Sequence, residues 1–236
     1  MTRNLPLPGT VSNFDVVGSS DSGHPRHAEL ADAAKHVIGD AIAAAPAPNA
    51  WVRSPRGAGE FSVAPASVPA AWLLADFLNQ VYEGARRYNR DKRDGDQLRL
   101  RVGIDYGDVL INGRGDPRGD PLVNAARLQE SPAARAAADA VPAAPLVAVV
   151  SDLLYQRVVP RDTGLRAEAF REVAVEIEGE TVRAWLYVPH FPLPSVDGEP
   201  KEAHSAGPKY DTRIKKSKGV IVGDGTTAHF TFGSES

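Results

Sequence analysis

The stretches able to do chemistry are few, and each lies where a regular element ends or begins. "TVSNFDVVG" (residues 10–18) carries Asp15, which on a strand shares one face with Val11, Asn13 and Val17. An aspartate at the exposed end of a strand is a hard oxygen donor for a cation, or else an ordinary surface carboxylate. "RGAGEF" (56–61) sets two glycines around one alanine just before a strand. On a regular strand Glu60 points to the same face as Ala58, where it can offer oxygen or form a salt bridge. "NGRGDPRGD" (112–120) is a loop of turn residues that runs into "PLVNAARL" (121–128), a helix carrying Asn124 and Arg127. Rival chemistries are missing from the sequence. It has no cysteine, no G-x-S-x-G, no P-loop lysine motif and no H-E-x-x-H. The histidines (His24, His27, His36, His190, His204 and His229) form no cluster with ligand spacing.

The elements that must position these groups follow from periodicity. Thr10–Val17 reads as a strand that stops at Gly18. Residues 28–45 read as a helix, with Leu30, Ala34, Val37, Ile38 and Ile42 near helical spacing. "WVRS" and "EFSV" are short strands around the glycine pair, a hairpin by pattern. A second helix carries Leu74, Phe77, Leu78, Val81 and Ala85 on one stripe, with Ser67 as its expected N-cap. "LRLRVGI" alternates, with Leu98, Leu100, Val102 and Ile104 inward; "DYG" is expected to turn into a further strand, "DVLI". Asp120 is the expected cap of the next helix, with Pro121 at its first position. "SPAARAAADAVPAAP" reads as helix plus connector, "LVAVV" as a buried strand, and "SDLLYQRVV" as a short helix capped by Ser151 or Asp152. "FREVAVEI" and "TVRAWLYV" close the domain as paired strands. The fold class expected is α+β, with a ferredoxin-like βαββαβ core and extra C-terminal strands. The domain is expected over residues 8–189, followed by a flexible linker at 190–217 and a short β-forming motif at 218–234.

Composition bounds the surroundings. Of 236 residues, 42% are hydrophobic and 24% charged, enough apolar content for a core. A net charge of −3 gives no bulk attraction to nucleic acid or to an anionic membrane. The N-terminal "MTRNLPLPGTVSNF" has no apolar h-region, no later run is long enough to span a bilayer, and the absence of cysteine fits a reducing compartment. A cytoplasmic protein is the expectation.

In their order and spacing, three stretches together resemble the class III nucleotidyl cyclases. "FDVVG" resembles that family's first strand, "LRVGIDYGDVL" its strand motif R-hydrophobic-G-hydrophobic-x-x-G-x-hydrophobic, and "GDPLVNAARL" its helix motif G-x-x-hydrophobic-N-x-x-x-R-hydrophobic. The resemblance covers roughly Val11 to Val188 and implies the same ferredoxin-like core. It implies attack of a ribose 3′-hydroxyl on the α-phosphate of a nucleoside triphosphate, releasing pyrophosphate, with magnesium or manganese as cofactor. It also implies sites formed between two domains, as a homodimer or with another cyclase domain.

Carried over by position, Asp15 matches the first metal aspartate and Arg127 the transition-state arginine, eight residues after Gly119. Asp116, three residues before Gly119, matches a base-recognising aspartate; Arg56 and Arg53 stand near the base-recognising lysine position at Ser54. Other positions depart from the family. The second metal aspartate falls in Gly57-Ala58-Gly59, where alanine ligates nothing and Glu60 is the nearest substitute. The helix asparagine falls on Val123, with Asn124 about 100° around the helix. The phosphate-binding lysine falls on Glu178, before Gly179. The expected site is therefore Asp15 and Glu60 toward metal, Asp116, Gly119 and Arg56 toward nucleotide, and Arg127 and Asn124 toward catalysis. These losses imply a degenerate signalling domain that dimerises and binds nucleotide without turnover; the alternative is an active cyclase with an altered metal site. A third reading is an adaptor acting through its tail. "VIVGDGT" resembles bacterial amyloid-signalling motifs, with Val220, Val222 and Gly223 fitting and Ile221 and Thr226 replacing the Gln and Asn whose amides stack.

Overall fold

Phe14 and Val16 point one way from the first strand, Asn13 and Asp15 the other, and the domain is built on that alternation. The computed structural model describes residues 5–18, 25–112, 115–161 and 164–193. All lie in the first of the two units into which the chain divides, Met1–Glu199. The β-forming motif expected at 218–234, and the linker beyond residue 193, fall outside the described residues. In chain order the elements are β1 (Leu7–Val16), α1 (Pro25–Ala43), β2 (Val52–Arg56), β3 (Gly59–Pro65) and α2 (Ala70–Trp72). A π-helical turn (Leu73–Phe77) then leads into α3 (Leu78–Asn89), β4 (Leu100–Ile111), β5 (Pro117–Arg118), α4 (Asp120–Glu130) and α5 (Pro132–Ala140). β6 (Leu146–Ser151), α6 (Asp152–Val158), β7 (Phe170–Ile177) and β8 (Glu180–Tyr187) complete the domain.

The strands form one sheet in the order β2-β3-β1-β4-β6-β8-β7, with β5 paired to β4. β4 and β6 run parallel and the other pairs antiparallel. The first six major elements are the expected βαββαβ unit, so the fold class stands as α+β. α1, α3 and α6 cover one face, burying Phe14, Val16, Phe77 and Ile38 with the inward residues of β4. Leu98, Leu100, Val102 and Ile104 are all buried, as their alternation predicts. α4 and α5 cover the other face, over Val11, Phe61, Val147 and Val149.

Four local expectations are corrected. "DYG" does not turn: β4 continues unbroken to Ile111 because β1 pairs with it over ten consecutive residues, from Leu7 opposite Val109 to Val16 opposite Leu100. Ser67 does not cap a helix; α2 begins after Pro69, whose fixed φ suits a helix start. Gly119, not Asp120, is the cap of α4. Residues 190–193, read as the start of a linker, pack on the domain: the His190 ring lies 4.5 Å from that of Tyr82, and Phe191 touches both hydrophobic clusters. No helix among the described residues is long and apolar enough to cross a membrane.

Candidate functional site

Asp15 sits opposite Arg101 in the β1–β4 register, on the face covered by α4. The Arg101 Nη2 donates to Asp15 Oδ2 at 2.8 Å, and the side chains are 14% and 25% exposed, so the pair is largely withdrawn from water. Gln129, buried on α4, donates its Nε2 to the same oxygen at 3.4 Å. Its Oε1 accepts from Asn13 Nδ2 at 3.2 Å. The carboxylate thus lies in a connected network at the floor of a cleft of about 760 Å³, whose lining includes Asn13, Asp15, Arg56, Arg101, Gln129 and Arg135.

Glu60 does not join it. Glu60 is in register with Phe14, not with Asp15, so it points to the opposite face of the sheet. It is 1% exposed and receives two bonds from Arg53, Nε to Oε1 at 2.9 Å and Nη2 to Oε2 at 2.5 Å. The same guanidinium donates to the Lys35 carbonyl on α1 at 3.0 Å. Ala58 packs against the same core, on the side away from Asp15. The hairpin that holds it is tight: Gly57 has φ 53°, and a Cβ on Gly59 would come within 1.8 Å of the Phe14 carbonyl oxygen. The expected carboxylate pair is therefore divided by the sheet. Among the described residues no group of three His, Cys, Asp or Glu is arranged to hold a metal ion. The donor set does not fit a two-ion centre, since Asp15, the only member of the expected carboxylate pair in the cleft, is already held by a guanidinium and an amide.

On α4 the expected residues diverge. Gly119 sets the register: its φ of 138° and a Cβ position 2.7 Å from the Asp108 carbonyl oxygen leave room only for glycine. Asn124 faces inward and donates Nδ2 to the buried Asp105 Oδ2 at 2.9 Å, away from Asp15. Val123 and Arg127, one turn apart, lie together on the exposed face, and Arg127 reaches Glu130 at 3.8 Å. Asp116 closes the turn before β5. Its N–H donates to Asn112 Oδ1 at 2.9 Å, and its carboxylate accepts from Asn112 Nδ2 at 3.1 Å. Arg56 ends β2 with its guanidinium 5.1 Å from the centroid of the Phe61 ring, at the rim of the Asp15 cleft. Glu178 occupies the β7–β8 turn with φ 53°.

Arg101, Gln129, Asn13 and Arg135 are the cleft residues that sequence reasoning missed. Arg101 had a signal: it alternates outward between Leu100 and Val102, but its partner is fixed only by the β1–β4 register. A second cleft, of about 500 Å³, adjoins Asp105 and Asp152. Burial opposes ionisation of Asp152, yet hydrogen bonds from Trp185, Arg183 and Gln156 prevail and hold it below the usual aspartate range.

No protein-family model matches the chain, and no curated protein is similar enough in sequence to match it. Solved structures do resemble it. An adenylate/guanylate cyclase/hydrolase from Silicibacter pomeroyi aligns with a TM-score of 0.57 at 18% identity, covering 79% of this chain and 99% of its own. Adenylate cyclases from Trypanosoma brucei, in their monomeric state, align at 0.54 and 15% identity, over 80% of this chain and 92% of theirs. The guanylate cyclase domain of RhGC from Catenaria anguillulae, in complex with GTP, aligns at 0.50 and 18% identity, over 79% of this chain and 99% of its own. Such identities speak to architecture alone, and on that evidence this chain has the class III nucleotidyl cyclase fold.

Proposed function

We propose that this chain is a degenerate cyclase-like signalling domain that dimerises and binds a nucleoside triphosphate without cyclising it. The observation that carries the reading is the separation of Asp15 from Glu60 by the sheet, with each carboxylate held by its own arginine. Cyclisation in the resembled family uses two divalent ions to activate the 3′-hydroxyl and steady the leaving pyrophosphate. Such chemistry depends almost wholly on positioning and electrostatics, and Ala58, Val123 and Glu178 stand where its other polar contacts would be. A homodimer repeats the same losses at both of its sites; an intact cyclase domain as partner would supply them. A nucleoside triphosphate is the ligand class because a structure of the same fold is described in complex with GTP, and because the Asp15 cleft presents arginines. Arg127 and Val123, side by side on the exposed face of α4, belong to the surface offered to a second domain. The test is equilibrium binding of labelled ATP, GTP, CTP and UTP to the purified protein, with pyrophosphate release followed in parallel. Saturable binding without release supports the reading. Release of pyrophosphate with a cyclic product favours an active cyclase instead.

A further inference from the structure

The charges of the Asp15 cleft are equal in number but are not all paired with one another. Three carboxylates line it, Asp15, Glu130 and Asp139, with three guanidinium groups, Arg56, Arg101 and Arg135. Two of the carboxylates have a guanidinium within 4 Å. Arg101 holds Asp15 at 2.8 Å, and Arg127, which does not line the cleft, reaches Glu130 at 3.8 Å. Asp139 acts on Arg99, a guanidinium that burial pushes down and Asp139 partly restores. Arg56 and Arg135 have no carboxylate partner among the described residues, and Arg56 rests on the Phe61 ring. The buried Nε of Arg101 has no hydrogen-bond acceptor. Among the described residues this leaves Arg56 with no carboxylate beside it, Arg135 with only Asp139 one helical turn away on α5, and the Arg101 Nε–H without an acceptor. Planar guanidinium donors of this kind match phosphate oxygens.

We propose that this cleft receives the polyphosphate of a nucleotide directly on Arg56, Arg101 and Arg135, with no divalent ion between them. The inference rests on the nucleotide-binding reading above and replaces the metal that the fold family implies with guanidinium groups of this chain. The experiment is displacement of fluorescent GTP and ATP, and direct binding of inorganic tripolyphosphate, each in EDTA and in magnesium. Expected are affinities in EDTA within about threefold of those in magnesium, and a loss of about tenfold for each of Arg56→Ala and Arg135→Ala, the scale of one charge-assisted hydrogen bond. Both side chains are exposed, so the variants keep the fold, which circular dichroism checks. Nucleotide binding that requires magnesium or manganese overturns the cleft while leaving the nucleotide reading in place. Tripolyphosphate bound in EDTA through these arginines, with no nucleotide bound, upholds the cleft and removes the nucleotide reading. Binding unaltered by both substitutions, or no binding of either ligand, overturns the proposal.

Discussion

Arg101 and Asp15 face each other across the β1–β4 register, and a 2.8 Å bond joins them. The pair is mostly buried, and Gln129 shares the same carboxylate oxygen. Removing the cation takes the guanidinium from a carboxylate that has little water to replace it. Arg101→Ala is expected to lower stability by about 1.5–3 kcal/mol, the scale of a hydrogen bond to a charged group. Asp15→Asn should cost less. A double-mutant cycle by urea unfolding should return a coupling between the two of about 1–2 kcal/mol.

The Arg53–Glu60 pair makes a sharper case because Glu60 is 1% exposed. Arg53→Ala leaves that carboxylate without its two donors and should destabilise the domain by about 3–5 kcal/mol. Arg53→Met combined with Glu60→Leu removes both charges and should unfold at a higher urea concentration than Arg53→Ala alone. Nucleotide affinity, measured by calorimetry, should be unchanged by Glu60→Gln, since this carboxylate faces away from the cleft.

Acid stability should depend on Asp152. Its folded pKa is depressed: burial opposes the charge, but donors from Trp185, Arg183 and Gln156 outweigh it. A depressed carboxylate contributes stability above its unfolded pKa, about 3.9, and loses it as pH falls through the lower folded value. The stability gap between wild type and Asp152→Asn is therefore expected to be full near neutral pH and to shrink below about pH 4. Chemical denaturation at pH 7 and pH 3 checks this.

Glu178 is held at φ 53° in the two-residue turn between Ile177 and Glu180, followed by Gly179 at 86°. Both central residues are left-handed, a turn that favours Asn-Gly or Gly-Gly. Glu178→Asn should raise stability by up to about 1 kcal/mol, read as an increase in Tm.

Much of the fold was legible because its signals are local. β4 shows clean alternation, α3 carries a continuous apolar stripe, and the Gly57–Ala58 hairpin announces itself by its glycines. "DYG" misled because its turn-like composition was overridden by a partner strand distant in sequence, β1. The candidate site was legible only in part for the same reason. Asp15 could be assigned to a strand face from alternation alone. Whether Glu60 shares its face depends on the β1–β3 register, which sets Glu60 beside Phe14. Arg101 and Gln129 reach Asp15 from 86 and 114 residues away in sequence, and no local pattern reports such a meeting.

The central claim, a cyclase fold that binds nucleotide without cyclising it, is tested most directly by turnover. Purified protein is incubated with manganese and each nucleoside triphosphate in turn, and pyrophosphate and cyclic nucleotide are quantified beside an Asp15→Ala control. The expected result is no product above that control from a protein that still binds nucleotide. A cyclic nucleotide made by the wild type and abolished by Asp15→Ala would contradict the claim.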